Sequence, residues 1–116
     1  SEYKKGWGSR VTLVDNLNRN MGLRKARLAW YIAMDLFKEG NMDGVLEEVN
    51  TMLDGLEQSY RDLGRDNHTQ YFLKVQSNKI AEILSMLGRT ELLKDMKELD
   101  PDRRDVYQSA LDSISR

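Results

Sequence analysis

The chain has 116 residues, 40% hydrophobic and 32% charged, with one Pro, no Cys and a formal net charge of −1. That length suits one domain, and the apolar share supports a core without metal or disulfide staples. The lack of Cys excludes disulfides, thiolate zinc sites and thiol chemistry, and no apolar run is long enough to cross a bilayer.

Residues 1–9 read as a flexible N-terminal arm, and residues 10–116 as a single helical domain. In the arm, Gly6 and Gly8 flank Trp7, after Tyr3, Lys4 and Lys5. Glycines disfavour a helix there, and an indole is costly to leave in water, so Trp7 is expected to dock. The expected berth is a neighbouring copy, with the arm as a clasp. Ser9 can cap a short helix bearing Val11, Leu13, Val14 and Leu17. Asn18, Asn20 and Gly22 then predict a break between residues 18 and 22.

Residues 22–39 predict a helix. Leu23, Ala26, Trp30, Ala33 and Phe37 alternate at spacings of three and four, so they share a face. Ala29, Ile32 and Leu36 widen it past half the circumference, which predicts a central helix touched on several sides. The remaining stripe is Arg24, Arg27, Tyr31, Asp35 and Lys38. Gly40 marks the stop, and Asn41 or Asp43 can cap the next helix.

That helix is expected over residues 43–63. Met42, Val45, Val49, Met52, Leu56, Ser59 and Leu63 form its stripe, while Glu47, Glu48, Asp54, Glu57, Arg61 and Asp62 face water. Gly44 and Gly55 weaken it or admit a close neighbour, and Gly64 ends it. A third helix is expected to take Asn67 as N-cap, with Gln70 completing a capping box. It carries Tyr71, Phe72, Leu73 and Val75, then polar Gln76 to Lys79, then Ile80, Ile83, Leu84 and Leu87. The polar turn predicts a partnered buried layer, a kink or a solvent gap. Gly88 stops this helix. Thr90 is expected to cap a short one with Leu92, Leu93, Met96 and Leu99. Asp100-Pro101 then starts a last helix with Val106, Tyr107, Ala110, Leu111 and Ile114. No segment alternates with period two between turns, so no sheet is expected.

The whole predicts an all-α fold: four to five helices packed as antiparallel hairpins in a small helical bundle. Two stretches resemble known turns. Ala33 followed by Leu36-Phe37-Lys38-Glu39-Gly40-Asn41-Met42-Asp43 and Val45 resembles the turn of a tetratricopeptide hairpin. Leu99-Asp100-Pro101 is similar to the junction between such repeats. The resemblance covers roughly a quarter of the chain. Val45 and Met52 stand where that family usually has small alanines, the second helix is longer, and no repeat of about 34 residues is present. The family is therefore not assigned on these turns.

Chemistry-bearing residues point away from catalysis. His68, the single histidine, lies near Asp62 and Asp66, but one nitrogen ligand makes a poor zinc site and a helix-joining loop explains all three. Asp100, Asp102 and Asp105 lack the glycine and terminal glutamate of a calcium loop, and acids in a first turn favour the helix dipole. They read as capping. Glu47-Glu48 reads as a solvated face, and Met34, Met52 and Met96 read as core filler. No phosphate loop, nucleotide fingerprint or nucleophile elbow is present, so no enzyme, cofactor or metal is expected.

Charge is unevenly distributed. Residues 1–30 carry seven basic side chains against two acidic, and residues 31–70 carry three basic against nine acidic. Either the basic start packs beside an acidic surface, in the same chain or a neighbouring copy, or it contacts phosphate. The candidate interaction residues are Lys4, Lys5, Trp7, Arg10, Arg24, Arg27, Tyr31 and Lys38, where cations interleave with aromatics. These features predict a non-enzymatic protein-interaction or assembly module of the adaptor or scaffold kind. Its partner is another protein or a second copy in a homo-oligomer. The alternative is a nucleic-acid-binding protein that uses the basic, aromatic first quarter. No membrane partner is expected. With no apolar signal core at the N-terminus, a cytoplasmic location is expected.

Overall fold

A computed structural model describes residues 20–116, and every described segment of regular structure is helical. The arm, the short helix after Ser9, and Lys4, Lys5, Trp7 and Arg10 lie outside the described residues. Five α-helices follow in order: α1 (Met21–Lys38), α2 (Met42–Leu63), α3 (Asn67–Met86), α4 (Thr90–Leu99) and α5 (Arg104–Ser115). A 3-10 turn, Pro101–Arg103, joins the last two. The fold is all-α as expected. It divides into two compact units at Asp66 and Asn67.

The first unit is the antiparallel hairpin of α1 and α2. The turn is set by Gly40. Its φ of 79° is a left-handed conformation that a side chain would resist. There, Asn41 N–H donates to Leu36 C=O at 2.9 Å and Gly40 N–H to Phe37 C=O at 3.1 Å. This pair of bonds closes the helix end as a Schellman motif. Asn41 is the cap of α2, its Oδ1 accepting from Gly44 N–H at 2.9 Å. The core unites Leu23, Ala26, Ala29, Trp30 and Ala33 of α1 with Val45, Val49, Met52, Leu53 and Leu56 of α2, all buried.

Small residues bring the two backbones together at the open end of the hairpin. A Cβ added to Gly55 would lie 2.5 Å from Gly22 O and 2.7 Å from Ala26 N; one added to Gly22 would lie 2.5 Å from Ser59 N. Of the two readings of Gly55, the close neighbour holds. Gly55→Ala should therefore destabilise the hairpin by about 1–3 kcal/mol through overpacking. On an exposed helix the same change stabilises by about 1 kcal/mol. Urea unfolding decides the sign.

The arc of α1 is narrower than expected. Ile32 is exposed and Leu36 and Phe37 are half-buried, so the described residues do not surround this helix. A hairpin partner covers only one side of a helix, whatever apolar residues continue around it.

The second unit packs α4 and α5 against α3. Phe72, Leu73, Ile80, Ala81, Ile83 and Leu84 meet Leu93, Met96 and Tyr107 in its buried core. Helix α3 runs unbroken through Gln76–Lys79; Ser77 is buried, Gln76 is half-buried, and Asn78 and Lys79 are exposed. Tyr71 and Val75 face outward. Gly88, at φ 67°, ends the preceding helical run with the same paired bonds as Gly40: Arg89 N–H to Leu84 C=O and Gly88 N–H to Ser85 C=O.

Three capping expectations are corrected. Asn67 and Thr90 are the first helical residues rather than caps, each one position inside, and Arg89 holds the cap position before Thr90. Asp100 precedes Pro101 as a helix-start signal should, yet its side chain makes no cap bond. It is fully buried. One carboxylate oxygen accepts from Arg103 Nη1 at 2.8 Å and the other from Tyr107 Oη at 2.7 Å. Arg103 Nη2 also donates to Gln70 C=O at 3.3 Å, tying the elbow between α4 and α5 to α3. A buried carboxylate must be partnered, and this geometry supplies two charge-assisted bonds.

Candidate interaction face

The outward side of α1 is the part of the described chain that gathers the expected interaction residues. At 100° per residue, Arg24, Leu28, Tyr31, Asp35 and Lys38 fall within about 40° of one line along the helix. That line runs opposite the buried Ala26, Ala29 and Ala33. Arg24 and Lys38 are exposed, Tyr31 is 52% exposed, and Arg27 is half-buried at the edge. Four of the eight candidate residues thus share one accessible surface.

Apolar side chains missed at the sequence level complete it. Leu28 is 62% exposed and Met21 54%, and Ile32, assigned to the core from its spacing, is 37% exposed. The signal for Leu28 was its place midway between Arg24 and Tyr31 on the polar stripe, at the same three-four spacing. The surface is therefore a mixed one, with a Leu-Tyr-Ile-Met centre and cations from Arg24, Lys25, Arg27 and Lys38 around it. Contiguous apolar surface rimmed by polar residues is what partners dock on, whereas single exposed apolar residues are ordinary. Tyr and Arg are the residue types that most often anchor one.

The outer side of α2 has the opposite character. Asp43, Glu47, Asp54 and Glu57 are all exposed, and their spacings of four, seven and three keep them on one face. Among the described residues, the hairpin thus carries a basic, apolar outward face on α1 and an acidic one on α2, joined through an apolar seam.

Outside the hairpin, Tyr71, Val75 and Met86 of α3 are also exposed. His68 and Asp62 are exposed and Asp66 is half-buried, and among the described residues no three His, Asp or Glu side chains cluster as a metal site. Between α4 and α5 lies an open groove lined by Lys94, Lys97, Gln108, Leu111 and Asp112. Its polar groups bond one another: Lys97 donates to Gln108, and Gln108 to Asp112 at 2.9 Å. No described helix is long and apolar enough to cross a membrane. The chain matches no protein-family model, no curated protein and no solved structure.

Proposed function

We propose that the chain is a non-enzymatic protein-interaction and assembly module that self-associates. The observation that carries this reading is the outward face of α1, where Met21, Leu28, Tyr31 and Ile32 remain open beside basic side chains. Leaving these groups in water forgoes roughly 25 cal/mol for each Å² that a partner would cover. Basic residues around an apolar centre also select an acidic or mixed-charge partner by electrostatic complementarity. Light scattering over a range of protein concentrations tests the reading: mass should rise with concentration, and a constant monomer mass refutes self-association.

A second reading is favoured by one specific observation. Arg24, Arg27, Tyr31 and Lys38 stand on a single accessible helix face, where cations can contact phosphates while an aromatic stacks on an unpaired base. Binding to DNA or RNA would then weaken steeply with salt, with a slope of about 0.9 per phosphate contacted on duplex DNA. No binding at low salt to single- or double-stranded probes removes it.

A further inference from the structure

The exposed stripe of α1 is self-complementary. Met21, Arg24, Leu28, Tyr31, Asp35 and Lys38 follow one another at spacings of three, four, three, four and three. This is the a/d alternation that lets two helices wind together. Yet the stripe lies opposite the face that α1 buries within its own unit, so it cannot serve α2.

Consider two copies of α1 laid antiparallel about a two-fold axis between Leu28 and Tyr31. In antiparallel pairs each a position faces a partner d position. Leu28 then faces the partner's Tyr31, Arg24 faces the partner's Asp35, and Met21 faces the aliphatic stem of the partner's Lys38. The two-fold repeats each layer. The centre is apolar, opposite charges meet on both sides of it, and the ends are covered by long side chains. A parallel pair would place Arg24 against Arg24 and Asp35 against Asp35, and like charges in such contact are penalised.

The acidic face of α2 is a poorer occupant. It offers charge to the Arg and Lys side chains, but among the described residues it bears no exposed large hydrophobic group to cover Leu28 or Tyr31. Such a head-to-tail contact closes only where its rotation completes a ring, whereas the two-fold pair is closed by its symmetry.

We infer that the chain forms a homodimer through antiparallel pairing of α1, with Leu28 and Tyr31 at its centre and reciprocal Arg24–Asp35 ion pairs on either side. This rests on the self-association reading above and specifies its surface, orientation and register. Eighteen residues of helix give a contact about 27 Å long. Alone, that is a small interface, so a dissociation constant on the order of 10–100 µM is expected.

Sedimentation equilibrium of the full chain from about 1 to 500 µM, with and without charge reversal, tests the pairing. Wild type should pass from monomer to dimer. Arg24→Glu or Asp35→Lys alone places like charges in both flanking layers and should weaken the dimer about tenfold. The double variant R24E/D35K restores opposite charges in reversed order and should return to within about threefold of wild type. Both positions are exposed, and circular dichroism should show unchanged helicity in all three variants. If wild type dimerises but the double variant is no tighter than either single one, the register is overturned while self-association stands. A wild-type monomer at every concentration overturns both.

Discussion

Replacing Trp30 with alanine is expected to destabilise the α1–α2 hairpin by about 3–5 kcal/mol, as the transfer term adds to the cavity left behind. The indole is fully buried and is among the largest side chains of the core. Its neighbours leave little room to collapse into the void. Gly22 and Gly55 already hold the two backbones in contact, so the helices cannot close further at that end. Hydrogen exchange should show protection falling across Met21–Lys38 and Met42–Leu63. A loss below about 1 kcal/mol would mean that Trp30 is solvated in solution and that another face of α1 is buried.

A comparable loss is expected in the second unit from Arg103→Ala, about 3 kcal/mol by urea or thermal unfolding. Asp100 has no access to water, and its carboxylate would keep the Tyr107 hydroxyl as donor but lose the guanidinium. The charge then sits in low dielectric without its counter-ion, which costs far more than the ion pair contributes. Arg103 itself is 20% exposed on its side chain, which moderates the effect of the reverse change, Asp100→Ala. Tyr107→Phe removes one hydrogen bond to a charged group and should cost about 1.5–3 kcal/mol. Replacing Asp100, Arg103 and Tyr107 together with Leu, Met and Phe should recover most of the loss, since the apolar set buries neither the charge nor the hydroxyl that donates to it. If Arg103→Ala alone is neutral, the carboxylate is not buried and the elbow is held by apolar contacts.

The helical plan was legible because it depends on local chemistry. Gly40 and Gly88 adopt left-handed backbone where the stripe ends, and Asn41 bonds the first turn of α2 through its own side chain. Trp30, Val45, Met52 and Leu56 were placed in the core by spacing alone, because a three-four alternation leaves one face to bury. What periodicity cannot tell is how many neighbours a helix has. Ile32 continues the apolar arc of α1 and was assigned inward, but the hairpin covers too little of the circumference to reach it. Leu28 lies on the charged side, where a lone apolar residue is ordinary and draws no notice.

Asp100 escaped for a different reason. An Asp before Pro fits a helix start, which gives its carboxylate a local role without any tertiary partner. Its partners stand three and seven positions later, across the 3-10 turn and into α5. That spacing was visible in the sequence, but the burial that makes it matter depends on α3, which contributes the Gln70 carbonyl. Of the candidate interaction face, the cations and Tyr31 were legible from their stripe. The apolar centre was not, since it required knowing which side of α1 the hairpin leaves open.

The dimer is most directly tested by a distance within it. The chain has no cysteine, so Glu39→Cys provides a single labelling site just beyond α1, past the last paired layer. In the antiparallel register the two labels lie at opposite ends of the helix pair. Electron paramagnetic resonance should then report a separation of about 30 Å, set by a rise of 1.5 Å per residue. A separation near 10 Å, the spacing of helices packed side by side in parallel, or no intermolecular distance at all, would contradict the antiparallel dimer.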